Sequence, residues 1–185
     1  QNLSSAGKPL LARYDLEAVA SRLTRDELAS RPAGMWKWRE LLPLPDDAQP
    51  VSLEEPETPL IALDNVGLRH GVRAPIAKDE GRLPTGSFKA RGLVMAVSMG
   101  KALGIKHMAM PTNGNAGAAL AAYATSCGIK TTIFCPADTP EVNVSEIELQ
   151  GATVYRVNGL IDDCGKIVGE GAKKGGWFDL STLKE

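Results

Sequence analysis

The chain has 185 residues, 43% of them apolar and 23% charged, which excludes a disordered polypeptide and supplies material for one substantial core or two small ones. Its formal net charge is −1 and it holds no run of Lys or Arg, which argues against a nucleic-acid-binding or membrane-surface protein. No apolar run approaches the ~20 residues of a membrane span, and the opening QNLSSAGKPLLARYD lacks the apolar centre of an export signal.

Cys127, Cys135 and Cys164 form no C-x-x-C pair. Such a sparse, odd set predicts buried thiols in a reducing compartment, hence the cytoplasm, rather than a disulfide frame or a metal site. The chain starts with Gln and stops at DLSTLKE directly after an apolar segment, so a piece of a longer protein is expected.

Residues 1–42 read as short helices. Asp15 caps a segment with Leu16, Val19, Ala20 and Leu23 on one face, and Thr24-Arg25-Asp26-Glu27 is a capping-box pattern. Trp36, Trp38, Leu41 and Leu42 then make an apolar patch that calls for a packing partner. Five prolines between residues 43 and 59 predict an extended, semi-rigid connector. The expected organisation is therefore a helical arm with its connector over residues 1–58 and a second domain over residues 59–185.

From residue 74 onward strands and helices alternate. The strands are 74–78, 107–111, 130–136, 152–158 and 177–180. The helices are 87–103, with Phe88, Gly92, Met95, Met99 and Leu103 on one face; 115–127, with Ala116, Ala119, Leu120, Tyr123 and Cys127; a third from Pro140 to about Gly151; and a fourth marked by Ile161, Cys164, Val168 and Gly171. Strict alternation with short turns predicts an α/β fold: an open parallel sheet, right-handed crossovers, and helices on both faces.

In such sheets ligands sit beyond the carboxyl ends of the strands, where helices begin. Two helix starts carry chemistry. In P-T-N-G-N-A-G (111–117) the glycines allow close approach of the backbone, free N–H groups suit a carboxylate or phosphate, and Asn113 and Asn115 add directed hydrogen bonds. In P-T-G-S-F-K-A-R-G (84–92) Ser87 is a natural N-cap, and Lys89 and Arg91 fall in the first turn. The helix dipole disfavours cations there. A lysine whose ammonium form is discouraged suits imine formation with an aldehyde. Asp79 and Glu80 serve equally well as surface charges or as partners for Arg91.

These stretches resemble a known family. P-T-G-S-F-K-A-R-G is similar to the pyridoxal-phosphate lysine motif of fold-type-II enzymes, among them threonine synthases and the serine and threonine dehydratases, and T-N-G-N-A-G-A-A-L-A-A-Y-A resembles their asparagine loop. G-K-P-L-L-A-R-Y-D-L, M-W-K-W-R-E-L-L-P-L, E-T-P-L, G-L-I-D-D-C-G-K-I-V and D-L-S-T-L-K-E resemble threonine synthases in particular. The resemblance covers nearly the whole chain and implies the fold of the tryptophan synthase β class in an incomplete chain.

The resemblance also implies roles. Lys89 holds pyridoxal 5'-phosphate through an imine and then moves protons at the substrate carbons. Asn115 hydrogen-bonds the phenolic oxygen of the cofactor. Thr112, Asn113, Gly114, Asn115 and Ala116 surround the α-carboxylate of an amino-acid substrate. The implied reaction converts O-phosphohomoserine and water to threonine and phosphate, and a homodimer is implied as a frequent assembly. A dehydratase, an ammonia-lyase, a cysteate-synthase-like enzyme and a non-catalytic domain stand as alternatives. The sequence departs from the pattern in two places: N-L-S-S-A-G stands where many members carry a cysteine knuckle, so no metal is expected, and Ala116 stands where some carry threonine.

Overall fold

The computed structural model describes residues 4–8 and 10–181. Helix α1 (Leu16–Arg22) is capped by Asp15, whose carboxylate accepts from the Ala18 amide at 2.9 Å. Helix α2 (Arg25–Ser30) has the expected capping box: Thr24 Oγ1 accepts from the Glu27 amide, and the Glu27 carboxylate accepts from the Thr24 amide. Neither helix fully buries a residue, and the apolar stripe read on α1 is half-covered at Val19 and Leu23 and open at Leu16 and Ala20.

A 3-10 segment over Met35–Leu41 follows, in which Met35 and Trp36 pack on the main core while Trp38 stays largely exposed. The proline-rich connector is stitched to the core: Leu44 and Val51 are buried, and the Val51 amide donates to the hydroxyl of fully buried Ser98 at 2.9 Å.

Strands β1 (Leu60–Ala62) and β2 (Ile76–Lys78) pair antiparallel with Ile61 opposite Ala77, and helix α3 (Asp64–His70) lies between them in sequence. Only β2 is anticipated by the sequence reading. Residues 60–73 lack a run long enough to show either period.

Helix α4 (Lys89–Ala102) leads into the main sheet. Strand β3 (His107–Pro111), helix α5 (Asn115–Ser126), strand β4 (Lys130–Pro136), helix α6 (Glu141–Leu149), strand β5 (Thr153–Val157), helix α7 (Ile161–Lys173) and strand β6 (Phe178–Asp179) complete the alternation. All four strands run parallel in the order β5-β4-β3-β6. Met108 and Met110 of β3 and Ile133 of β4 join the core shared with α4, α5 and α6. Ala109 and Phe134 point the other way, into a smaller core with Cys164 and Val168 of α7 and with Trp177. Helices thus cover both faces, as the alternation predicts.

The alanine-rich α5 is buried on every side from Ala116 to Ala124, as a helix apolar all round should be. Against it α4 presents Ala90, Leu93, Val94, Val97 and Ser98. The expected face of α4 is corrected here: Phe88 and Leu103 are 62% and 60% exposed, Gly92 is exposed, and Met95 and Met99 are half-buried along an open apolar groove shared with Phe178 and Leu180. Close approach to an alanine helix favours compact side chains, Leu93 being the largest on this face, and the longer methionines turn outward.

Cys135 and Cys164 are fully buried and Cys127 is half-buried; all three are free thiols. Among the described residues no helix is long and apolar enough to cross a membrane.

Candidate active site

The carboxyl end of β3 and the starts of α4, α5 and α7 converge. At α4 the N-cap is Phe88, in helical conformation and without a side-chain cap. Ser87 therefore does not cap the helix as the sequence suggests; its hydroxyl is buried without a hydrogen-bond partner. The chain reaches this point through a turn at Pro84-Thr85-Gly86, where Gly86 has φ +66°, a left-handed conformation natural to glycine. Lys89 is the first helical residue. It is half-buried, its Nζ lies 5.0 Å from the Phe88 ring centroid, and it makes no ion pair among the described residues.

The asparagine loop is tightly folded. The Thr112 amide continues the ladder onto the Phe134 carbonyl at 3.0 Å, and the Gly114 amide donates to Thr112 Oγ1 at 3.3 Å. Helix α5 begins at Asn115 with Gly114 as its N-cap and no side-chain cap. The Gly117 amide turns back onto the Gly114 carbonyl at 2.9 Å. The amides of Asn115 and Ala116, without intrahelical partners, are left for whatever enters the cleft. Gly117 has no room for a side chain: a Cβ there would sit 2.5 Å from Thr112 Cγ2 and 2.9 Å from Ile147 Cδ1.

Lys89 and this loop line one cleft of about 440 Å³, together with Phe88, Pro111 and Ile161. The structure thus brings Lys89, Thr112, Asn113, Gly114, Asn115 and Ala116 to a single wall-and-floor arrangement although at least 22 residues separate the lysine from the loop. A second, apolar hollow of about 270 Å³ adjoins Lys89 on the side of Gly92, Leu93, Met110 and Leu180.

Two features of the site lie outside the sequence reading. Asn143 of α6 donates its side-chain amide to the Asn113 carbonyl at 2.9 Å. Ile161, one of the residues that mark the face of α7, edges the cleft at 40% exposure while Cys164 and Val168 are buried. Both are contacts between distant segments, for which no local spacing is a signal. The question over Asp79 and Glu80 is also answered: Glu80 takes Arg91 and is held down to about 2 by that guanidinium, while Asp79 accepts from the Gly81 amide and Arg82.

The donor set suits a planar aldehyde cofactor with an acidic substrate beside it. Lys89 offers an amine for the aldehyde, the exposed Asn115 side chain is unengaged and available to a ring oxygen, and the first amides of α5 favour an anion.

Comparison with known proteins agrees. Residues 51–184 match the family described as pyridoxal-phosphate dependent enzyme. The threonine synthase of Methanocaldococcus jannaschii is 33% identical over 162 residues, covering 87% of this chain and 40% of that protein. The chain therefore spans about two fifths of such a relative. The Escherichia coli diaminopropionate ammonia lyase bearing an aminoacrylate-PLP azomethine superposes with a TM-score of 0.63 at 21% identity, over 75% of this chain and 43% of that one. O-ureido-L-serine synthase gives 0.60 at 26% identity, over 66% of this chain and 40% of that one. With a matched model over most of its length and a lysine cleft that fits the cofactor, the chain belongs to the pyridoxal-phosphate-dependent enzyme family, with pyridoxal 5'-phosphate as its cofactor.

Proposed function

We propose that the chain is part of a threonine synthase, a lyase that converts O-phosphohomoserine and water to threonine and phosphate. The observation that carries this reading is the shared cleft: the family lysine and an anion-ready asparagine loop face the same space. The similarity to threonine synthases supports the choice of substrate within the family.

In this reading Lys89 holds the cofactor and then carries protons. The bound cofactor supplies an electron sink for the pair left when the Cα–H bond breaks. Lys89 takes the Cα proton and then a Cβ proton, phosphate departs from Cγ, a proton is delivered to Cγ, water adds its hydroxyl at Cβ, and a proton returns to Cα; the remaining water proton leaves with phosphate. The amides of Asn115 and Ala116 and the Thr112–Gly114 turn bind the α-carboxylate, fixing Cα beside Lys89. Asn115 orients the cofactor ring. The division into a helical arm with its proline-rich connector over residues 1–58 and an α/β domain over residues 59–185, a cytoplasmic setting and a homodimer belong to the same proposal.

The test is a pair of product assays on the full-length protein: inorganic phosphate from O-phosphohomoserine, and 2-oxo acid from serine or threonine. Phosphate together with threonine supports the proposal. Oxo acid alone makes it a dehydratase, and neither product makes it a non-catalytic member.

A further inference from the structure

Arg91 stands two residues after Lys89, at an end of α4 where the helix dipole disfavours a cation. Its guanidinium is gripped. Nε meets one oxygen of Glu80, and Nη2 meets the other at 2.9 Å and also donates to Thr58 Oγ1 at 3.3 Å. The Thr58 hydroxyl donates to Glu80 at 2.5 Å, and Lys78 Nζ lies 3.8 Å from the same carboxylate oxygen. Bidentate arginine–carboxylate pairs are both strong and geometrically strict. Thr58 is buried, and the Arg91 and Glu80 side chains are 31% and 20% exposed. A second, buried carboxylate, Glu55, acts on Arg91 through space and is itself held by Ser52, the Leu53 amide and the Trp36 indole.

The cluster joins three segments: the end of the connector, the turn after β2, and the first turn of α4. None of its members lines the lysine cleft. Apart from the burial of Ala90 and Leu93 in the core, the start of α4 has few polar anchors. No side chain caps it, the Ser87 hydroxyl is unbonded, and Ala90 and Arg91 donate to the Ser87 and Phe88 carbonyls at 3.2 Å. We propose that Glu80, braced by Thr58 and closed on Arg91, is a positioning residue: it fixes the first turn of α4 and with it the direction in which Lys89 presents its amine to the asparagine loop. This rests on the reading of Lys89 as the cofactor lysine. An amine set loosely by an uncapped helix start would miss the near-fixed geometry that such a site requires.

The experiment incubates the protein with pyridoxal 5'-phosphate, reduces with borohydride, and counts the pyridoxyl group on each lysine by peptide mass spectrometry. Circular dichroism and thermal melting run beside it. Glu80→Gln, which keeps the shape and removes the charge, is expected to lower labelling of Lys89 about tenfold while surface lysines label as before. Glu80→Asp, which keeps the charge, is expected to recover much of the loss. Labelling of Lys89 in Glu80→Gln equal to that of the unchanged protein overturns the clamp and leaves the cofactor reading standing. If Glu80→Gln does not fold, Thr58→Val removes the brace alone; about a threefold fall at Lys89 supports the proposal and no fall overturns it. An unchanged protein that labels Lys89 no more than its surface lysines overturns the cofactor reading, and the clamp with it.

Discussion

Asn143 donates its side-chain amide to the carbonyl of Asn113 at 2.9 Å, tying the first turn of α6 to a loop thirty residues earlier. The bond fixes one peptide plane of the turn whose following amides open on the cleft. Asn143→Ala is expected to weaken binding of inorganic phosphate there about three- to tenfold while changing stability by less than about 1 kcal/mol. Titration calorimetry against urea unfolding separates the two effects. Unaltered phosphate affinity would show that the loop holds its shape without α6.

Lys89 makes no ion pair among the described residues, so its removal should be silent for folding. Lys89→Ala is expected to hold its melting temperature within about two degrees. It should also lose the near-violet absorption expected of an imine between lysine and pyridoxal 5'-phosphate, and its borohydride-fixed label should fall to the background carried by surface lysines. A retained band, or another lysine labelled well above that background, would move the site away from this cleft.

Two glycines predict opposite outcomes. Gly117→Ala forces a methyl against Thr112 and Ile147 and should cost about 1–3 kcal/mol. Gly92, inside α4 with nothing within 4 Å of its absent Cβ, should gain about 0.5–1 kcal/mol on substitution by alanine. Urea midpoints measure both, and a destabilised Gly92→Ala would mean that the open side of α4 is occupied.

Glu80 carries a pH signature. Its carboxyl sits at about 2, below the ordinary 4.5, because Arg91 and Thr58 favour the charged form. Its contribution is therefore whole above about pH 4.5 and is lost as the pH falls toward 2, amounting to roughly 1–3 kcal/mol. Glu80→Gln should flatten the acid limb of the stability curve over that range. An acid limb of the same slope would mean that the pair is not formed in solution.

What was legible in the sequence was whatever local spacing encodes. Strands β3 and β4 end where their apolar runs end, and the two helix starts that line the cleft announce themselves by residues that make poor helix interiors. The spacing that marks α4 as a helix picks out its open side, because methionine and phenylalanine stand out more than alanine and serine on a hydrophobic scale. Packing against the alanine surface of α5 instead selects for size. Ser87 looked like a cap by residue type, yet the turn at Gly86 carries the chain one residue further before the helix begins. Asn143, Ile161 and the Thr58–Glu80–Arg91 cluster depend on which segments meet, which no window of a dozen residues contains.

The bond between Val51 and Ser98 has a practical consequence for anyone trimming this polypeptide. Excision at residue 59 would strip an aliphatic plug and orphan an interior hydroxyl on the lysine helix itself, a penalty of about 2–4 kcal/mol. A start ahead of Leu44 keeps both, and comparative denaturation of the two truncations would reveal the difference.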